Sequence, residues 1–266
     1  MYRRVSSCTT FLLFERTWFD LTMKFLVRLS CLFLLPAISW SQTLQYASAT
    51  RSLDTNGART LTLAERQTLP FFGEQRKTSE QIDKEIRFLS ECDKMFTSRE
   101  EASTFFASRA WEYIQEGQLD TAAYRFNLAY LLNEKNVDAY WGLGVVSYQK
   151  NQLEQAASIL RRGVELAPDN VPLMVDLSTI ELRNFTQSAK PEDLEDSYRI
   201  LKHAASLDST YALTFFNLAS AEYYRADYPK AWEALHTGRR LNFSLVDFEF
   251  VNLLRTKHPD PEGFFK

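Results

Sequence analysis

The chain has 266 residues, 45% hydrophobic and 24% charged, an ordinary globular composition with room for one elongated domain or two small ones. Its formal net charge of −3 lacks the basic surplus of a nucleic-acid-binding surface. Eight Gly and eight Pro are too few for the many turns of an all-β fold.

Arg16 and Asp20 interrupt the apolar residues ahead of Met23, and residues 1–22 read as an upstream extension that does not belong to the protein. From Met23 the order changes. Lys24 and Arg28 precede an apolar run from Leu29 to Leu35, then Pro36 and the small residues Ser39 and Ser41. That is the order of a secretory signal peptide over 23–41, with cleavage after Ser41. An uncleaved anchor is the alternative, but the run falls short of the roughly 20 residues needed to cross about 30 Å of hydrocarbon. The mature chain is therefore expected to be exported, periplasmic or secreted, with no membrane span after cleavage. Cys31 lies inside the apolar run, the wrong place for lipid attachment. Cleavage would leave Cys92 as the lone cysteine, unable to form an internal disulfide. No pair among Cys8, Cys31 and Cys92 has a metal or redox spacing, and His203, His236 and His258 are scattered, so neither metal nor cofactor is expected.

Residues 42–77 show no sustained period and read as a flexible lead. Its exception is "LPFFGEQ", where Phe71 and Phe72 either dock onto the body or serve as a short partner motif. Thr78 and Gln81 form a capping box that opens an N-terminal helix over 78–97. Ile82, Ile86, Phe88, Leu89 and Phe96 give it an apolar stripe, and Cys92 is expected to pack there as a small apolar group. Ser98 and Glu101 form a second capping box, and helical signals continue over 98–257.

Within that region the chain repeats. Ala156 stands 34 residues after Ala122, and "EGQLDTAAYRFNLAYLLNEKN" aligns with "KNQLEQAASILRRGVELAPDN". Ala231 and, more weakly, Ser197 continue the register. The units are 103–136, 137–170, 171–211 and 212–245, each read as two helices joined by a tight turn, with residues 246–257 as a capping helix and 258–266 as a tail. The third unit carries seven extra residues, "FTQSAKP", expected between its helices. Small residues let paired helices approach to about 8–10 Å, which explains Gly144 opposite Ala156. Ala110, Ala122, Ala219 and Ala231 take the same packing role. Pro168 stops a second helix because it lacks an N–H and disfavours helix in the residue before it.

These residues resemble the tetratricopeptide repeat family. The second unit carries the pattern as Tyr140, Leu143, Gly144, Ala156, Leu160, Gly163 and Pro168. The first carries it as Phe106, Ala110, Tyr113, Ala122, Phe126 and Ala129, and the fourth as Phe215, Leu218, Ala219, Ala231, Leu235 and Gly238. The third is weakest: Met174, Leu177, Ser178, Ser197, Leu201 and Ala204. The resemblance spans 103–257. The N-terminal helix and "PEGFFK" also make the chain similar to small secreted bacterial members. It implies an all-α, right-handed α-solenoid of about four helix-turn-helix repeats plus a capping C-terminal helix.

It also implies a concave face lined by the first helix of each repeat. The positions carry over to Trp111, Ile114 and Gln115; Trp141, Val145, Tyr148 and Gln149; Val175, Thr179, Leu182 and Arg183; and Phe216, Ser220, Tyr223 and Tyr224. Trp111, Gln115, Trp141, Tyr148, Gln149, Arg183, Phe216, Tyr223 and Tyr224 are the partner-binding candidates, since Trp and Tyr supply large rigid contact area with a polar handle. The opposing possibility is that these rings pack on the N-terminal helix 79–96 or on the lead. Family members that clamp a terminal carboxylate use Lys and Asn where this chain has Ala107 and Trp111, so that mode is not expected.

No HExxH, GxSxG or phosphate-cradling glycine loop occurs, and no catalytic residue is expected. Glu181 and Glu222 share a repeat position normally held by Tyr, and are expected to be solvated or paired with Arg. The expectation is a non-catalytic protein–protein interaction scaffold or adaptor of the cell envelope that binds another protein or peptide segment. The alternative is a glycan- or peptidoglycan-binding envelope protein whose Trp and Tyr stack on sugars. Self-association is a third possibility.

Overall fold

A computed structural model describes residues 62–266. The upstream extension 1–22, the signal peptide 23–41 and the lead as far as residue 61 lie outside the described residues.

Eleven α-helices make up the described fold, eight of them in pairs. Helix α1 (Leu63–Thr68) and α2 (Ser79–Met95) precede the pairs. The pairs are α3 (Arg99–Gln115) with α4 (Leu119–Leu132), α5 (Val137–Gln149) with α6 (Leu153–Leu166), α7 (Val171–Ser188) with α8 (Pro191–Leu207), and α9 (Ala212–Tyr224) with α10 (Tyr228–Leu241). Helix α11 (Phe248–Lys257) closes the series. Pair partners pack most closely, each second helix packs next on the first helix of the following pair, and α3 also touches α5 and α7 touches α9. Contact between adjacent repeats alone is the signature of a solenoid, and the architecture is the all-α one implied by the repeats.

Local chemistry explains the boundaries. Asn136, Asn170, Asp227 and Asp247 cap α5, α7, α10 and α11 with side-chain oxygens that accept first-turn amides. The capping box at Thr78 and Gln81 is complete. At α3 it is displaced: Ser98 accepts the Glu101 amide, but the Glu101 carboxylate accepts the Thr97 amide at 2.9 Å. Three hairpins close in the same way. Gly117, Asn151 and Ala226 take positive φ, and the next amide reaches back to Tyr113, Ser147 and Glu222 carbonyls at 2.8, 2.9 and 3.0 Å. That is the Schellman closure of a helix C-terminus.

In the third repeat, the seven extra residues do not form the expected inter-helix insertion. Phe185 to Ser188 continue α7, which runs 18 residues against 13 for α5, Ala189 turns the chain at φ 54°, and Pro191 opens α8. Pro is favoured in the first turn, where its missing N–H leaves no bond unmade.

The reading of residues 62–77 as flexible is also corrected. They form α1 and a tight 3-10 turn over Pro70–Glu74, lying on α4. Phe71, Phe72, Gly73 and Glu74 all have positive φ, between 51° and 77°. For an L-residue other than glycine this conformation costs roughly 1–2 kcal/mol, so docking must offset it. Phe71 supplies that: its ring is buried against Tyr130 and Tyr140, with centroids at 4.8 and 5.2 Å.

The far end is closed by the tail. Asp260 accepts the Phe265 and Glu262 amides at 2.8 and 2.9 Å and meets His236 at 2.7 Å. Phe265 stacks on His236, and the fully buried Trp232 indole donates to the His258 carbonyl at 3.0 Å.

The core is built on small residues at helix crossings. Ala110, Ala122, Ala156, Ala219 and Ala231 are fully buried. Gly144 faces the Leu160 side chain, with the Ala156 carbonyl behind it. Pro168 is exposed and lies just beyond α6, so it stops the helix without packing in the core. The tightest crossing is at Gly142, where an added Cβ would stand 2.0 Å from Cζ of the fully buried Phe126 ring. Gly142→Ala is therefore expected to destabilise by about 1–3 kcal/mol through overpacking. Gly144→Ala is expected to cost less, because the flexible Leu160 side chain can turn away. Urea unfolding of both variants checks the order.

Candidate functional site

The first helices place their inner positions in a row, and two tryptophans link successive rows. Trp111 on α3 meets Phe126 and Trp141 edge-on, with centroids at 5.1 and 5.9 Å. Trp141 on α5 is 5% exposed, and its indole N–H donates to Asp176 on α7 at 2.8 Å. Asp176 is 2% exposed. Burial raises its pKa to about 7, against the lowering effect of the indole hydrogen bond. Burial likewise raises the Asp138 pKa, and there the Trp111 side chain is the opposing hydrogen-bond partner. Asn217 on α9 holds the position in its repeat that Asp176 holds in the third. It donates to Thr179 Oγ1 on α7 at 2.7 Å. A polar ladder thus runs from helix to helix beneath the row.

The ladder divides the candidate residues. Trp141 is a buried strut. Ile114, Val145, Val175 and Leu182 are buried as well. Phe216 is half-buried and lies against Gly238, and Tyr223 is half-buried among Tyr228, Phe250 and Tyr224. Six positions reach the surface. Trp111, Tyr148 and Gln149 are partly exposed, while Gln115, Arg183 and Tyr224 are open. The Arg183 guanidinium lies 5.1 Å from the Tyr148 ring centroid and donates to the Tyr148 hydroxyl at 2.5 Å. Tyr224 meets Phe185 edge-on at 5.5 Å. The extension of α7 is what brings Phe185 there.

The rings do not pack on the N-terminal segments among the described residues. Residues 66–74 dock on α4, α5 and α6, and Phe88 of α2 packs on Phe106 at 5.4 Å. Cys92 is buried, and burial pushes its thiol up. Glu181 is buried and paired with Arg161, and Glu222 lies 3.6 Å from Arg225. Each carboxylate has its own cation. Sequence reasoning passed over Asp176, Phe185 and Asn217. A lone Asp inside the apolar "VPLMVDLSTI" was a visible signal for the first.

Residues 113–179 match the family model of the tetratricopeptide repeat. That stretch, from α3 into α7, is tetratricopeptide-repeat sequence. Among solved structures, the MamA protein is 17% identical over 61% of this chain and 86% of its own, with a TM-score of 0.50. MamA from Desulfovibrio magneticus RS-1, residue 41 to the end, is 10% identical over 60% of this chain and 86% of its own, also at 0.50. At these identities the likeness concerns the fold alone. No curated protein matches the chain. No helix among the described residues is long and apolar enough to cross a membrane.

Asp176 makes the ladder pH-dependent. Its pKa is raised from 3.8 to about 7, so the folded chain holds the proton more tightly than the unfolded chain does. The stability this confers is complete below 3.8 and is lost as pH rises toward 7, at about 1.4 kcal/mol per pH unit. Asp176→Asn keeps an oxygen to accept from the indole and removes the titration. It is expected to stabilise the protein above pH 7 and to flatten the loss below it, measured by urea unfolding on both sides of pH 7.

Proposed function

We propose that this protein is a non-catalytic scaffold that holds a partner segment on the inner face of its repeats, through Trp111, Gln115, Tyr148, Gln149, Arg183 and Tyr224. One observation carries the reading. Arg183 is an exposed guanidinium held on an aromatic ring, with Tyr148 as its only partner among the described residues. Most cations nearby on the repeats are paired, including Lys150 with Asp120, Arg161 with Glu181 and Lys190 with Glu154. A guanidinium stacked on a ring is preorganised to bind a carboxylate in two-pronged fashion. The exposed Tyr224 and the partly exposed Trp111 add rings of the kind that anchor peptides. The favoured partner is a peptide segment with an acidic side chain beside apolar ones. The repeat fold supports the scaffold role, and the order of residues in 23–41 supports an envelope or extracellular site of action. The glycan reading loses its main platform, because the buried Trp141 has no face free for a sugar to stack on.

Selection of a random peptide library on the full chain tests the proposal. Selected peptides are expected to be acidic. Arg183→Ala and Tyr224→Ala should each weaken them at least about tenfold, or 1.4 kcal/mol, while Glu154→Ala leaves them unchanged. Peptides that bind both groove variants with wild-type affinity would sink it.

A further inference from the structure

The turn over Pro70–Glu74 occupies a socket made by residues of three helices: Asn127 and Tyr130 of α4, Tyr140 of α5 and Arg162 of α6. The Asn127 side chain is fully buried, and each of its hydrogen bonds goes to residues 67–71, the turn and the stretch that leads into it. It accepts the Phe71 amide at 2.8 Å and donates to the Gln67 and Leu69 carbonyls at 2.9 and 2.7 Å. Arg162 lies 4.1 Å over the Phe71 ring and pairs with Glu74 at 2.6 Å. The socket therefore reads three main-chain groups, one aromatic ring and one carboxylate.

We infer that this socket is a peptide-recognition site, distinct from the inner face, and that residues 67–74 fill it as a displaceable internal ligand. Two observations support it. An empty socket would deprive the Asn127 side chain of all three of its hydrogen-bond partners, so the repeats present a main-chain-reading amide there. The internal occupant is also a strained one, because Phe71, Phe72 and Glu74 adopt positive φ where glycine would do so freely. Tethering compensates by holding the turn near the socket at high effective concentration. The partner this site fits is a protein segment with a phenylalanine, then glycines, then a glutamate or aspartate. Such a segment makes the same contacts with less backbone strain.

The test uses the full chain and a fluorescent peptide of residues 66–77 carrying Phe72→Gly. In the Phe71→Ala chain the socket is vacated, and the peptide is expected to bind at least tenfold more tightly than to the wild type, where the internal turn competes. Adding Asn127→Ala should abolish the gain, and Arg183→Ala should leave it intact, which separates this site from the inner face. In the wild type, excess peptide should speed hydrogen exchange at the Phe71 amide, a readout that does not depend on any variant folding. No binding to a folded Phe71→Ala chain up to about 1 mM, the scale of a tethered segment, would overturn the inference. So would equal binding of a peptide lacking the phenylalanine, or wild-type exchange that excess peptide leaves unchanged.

Discussion

The structure depends on how closely paired helices approach. Fully buried alanines and two glycines with no room for a Cβ hold the backbones together at each crossing. Small residues there turn a weakly amphipathic helix into a fixed one. Helix α5 shows the effect most clearly: Ala139 through Ser147 are all buried, a continuous run with no polar side. Such a helix is stable only between neighbours on several sides. Its position fixes those neighbours in turn, and the register passes along the stack.

Close approach of the first helices sets the chemistry of the inner face. It brings Trp141 against Asp176 and Asn217 against Thr179, in surroundings dry enough to keep one carboxyl protonated near neutrality. Those pairs use up side chains that would otherwise form the floor of a groove. What remains toward the surface is the rim: Tyr148 with Arg183, and Tyr224 with Phe185. The face is narrower and more polar than a count of its aromatic residues suggests. Its free charge is positive on a chain whose formal net charge is −3, which suits a local site for an acidic segment.

The two ends of the array are closed by different means. At the carboxyl end the tail wraps its own backbone around Asp260 and stacks Phe265 on His236. Burial opposes ionisation of Asp260, but the Phe265 and Glu262 amides and His236 outweigh it and hold the carboxyl below its usual range. At the amino end a strained turn lies across three helices, and α2 meets the array only sparsely, leaving Ile82 and Ile86 exposed. One end is sealed by satisfied hydrogen bonds, the other by a contact that works against its own backbone.

The repeat architecture was legible because it is local. A 34-residue period, small residues at fixed offsets, and Asn or Asp at helix starts each act within one or two turns of chain, and no distant contact reverses them. The alanines at the crossings could be named one by one for that reason. The site was only half legible. The family resemblance placed Trp141 and Arg183 on the same face, but whether a side chain on that face is strut or rim depends on what the next helix puts opposite it. Asp176 lies 35 positions after Trp141, and no rule of local spacing pairs an indole with a carboxylate at that distance. The turn at Phe71 is the extreme case. Its sequence carries no signal for four successive residues at positive φ, because that conformation exists only through Asn127 and Arg162, 56 and more residues away. Spacing and composition were enough for the helices and their pairing, and the repeat resemblance for the solenoid. Tertiary structure decided which aromatic residues remain available and where the lead docks, since burial and strain are properties of neighbours the chain meets only once folded.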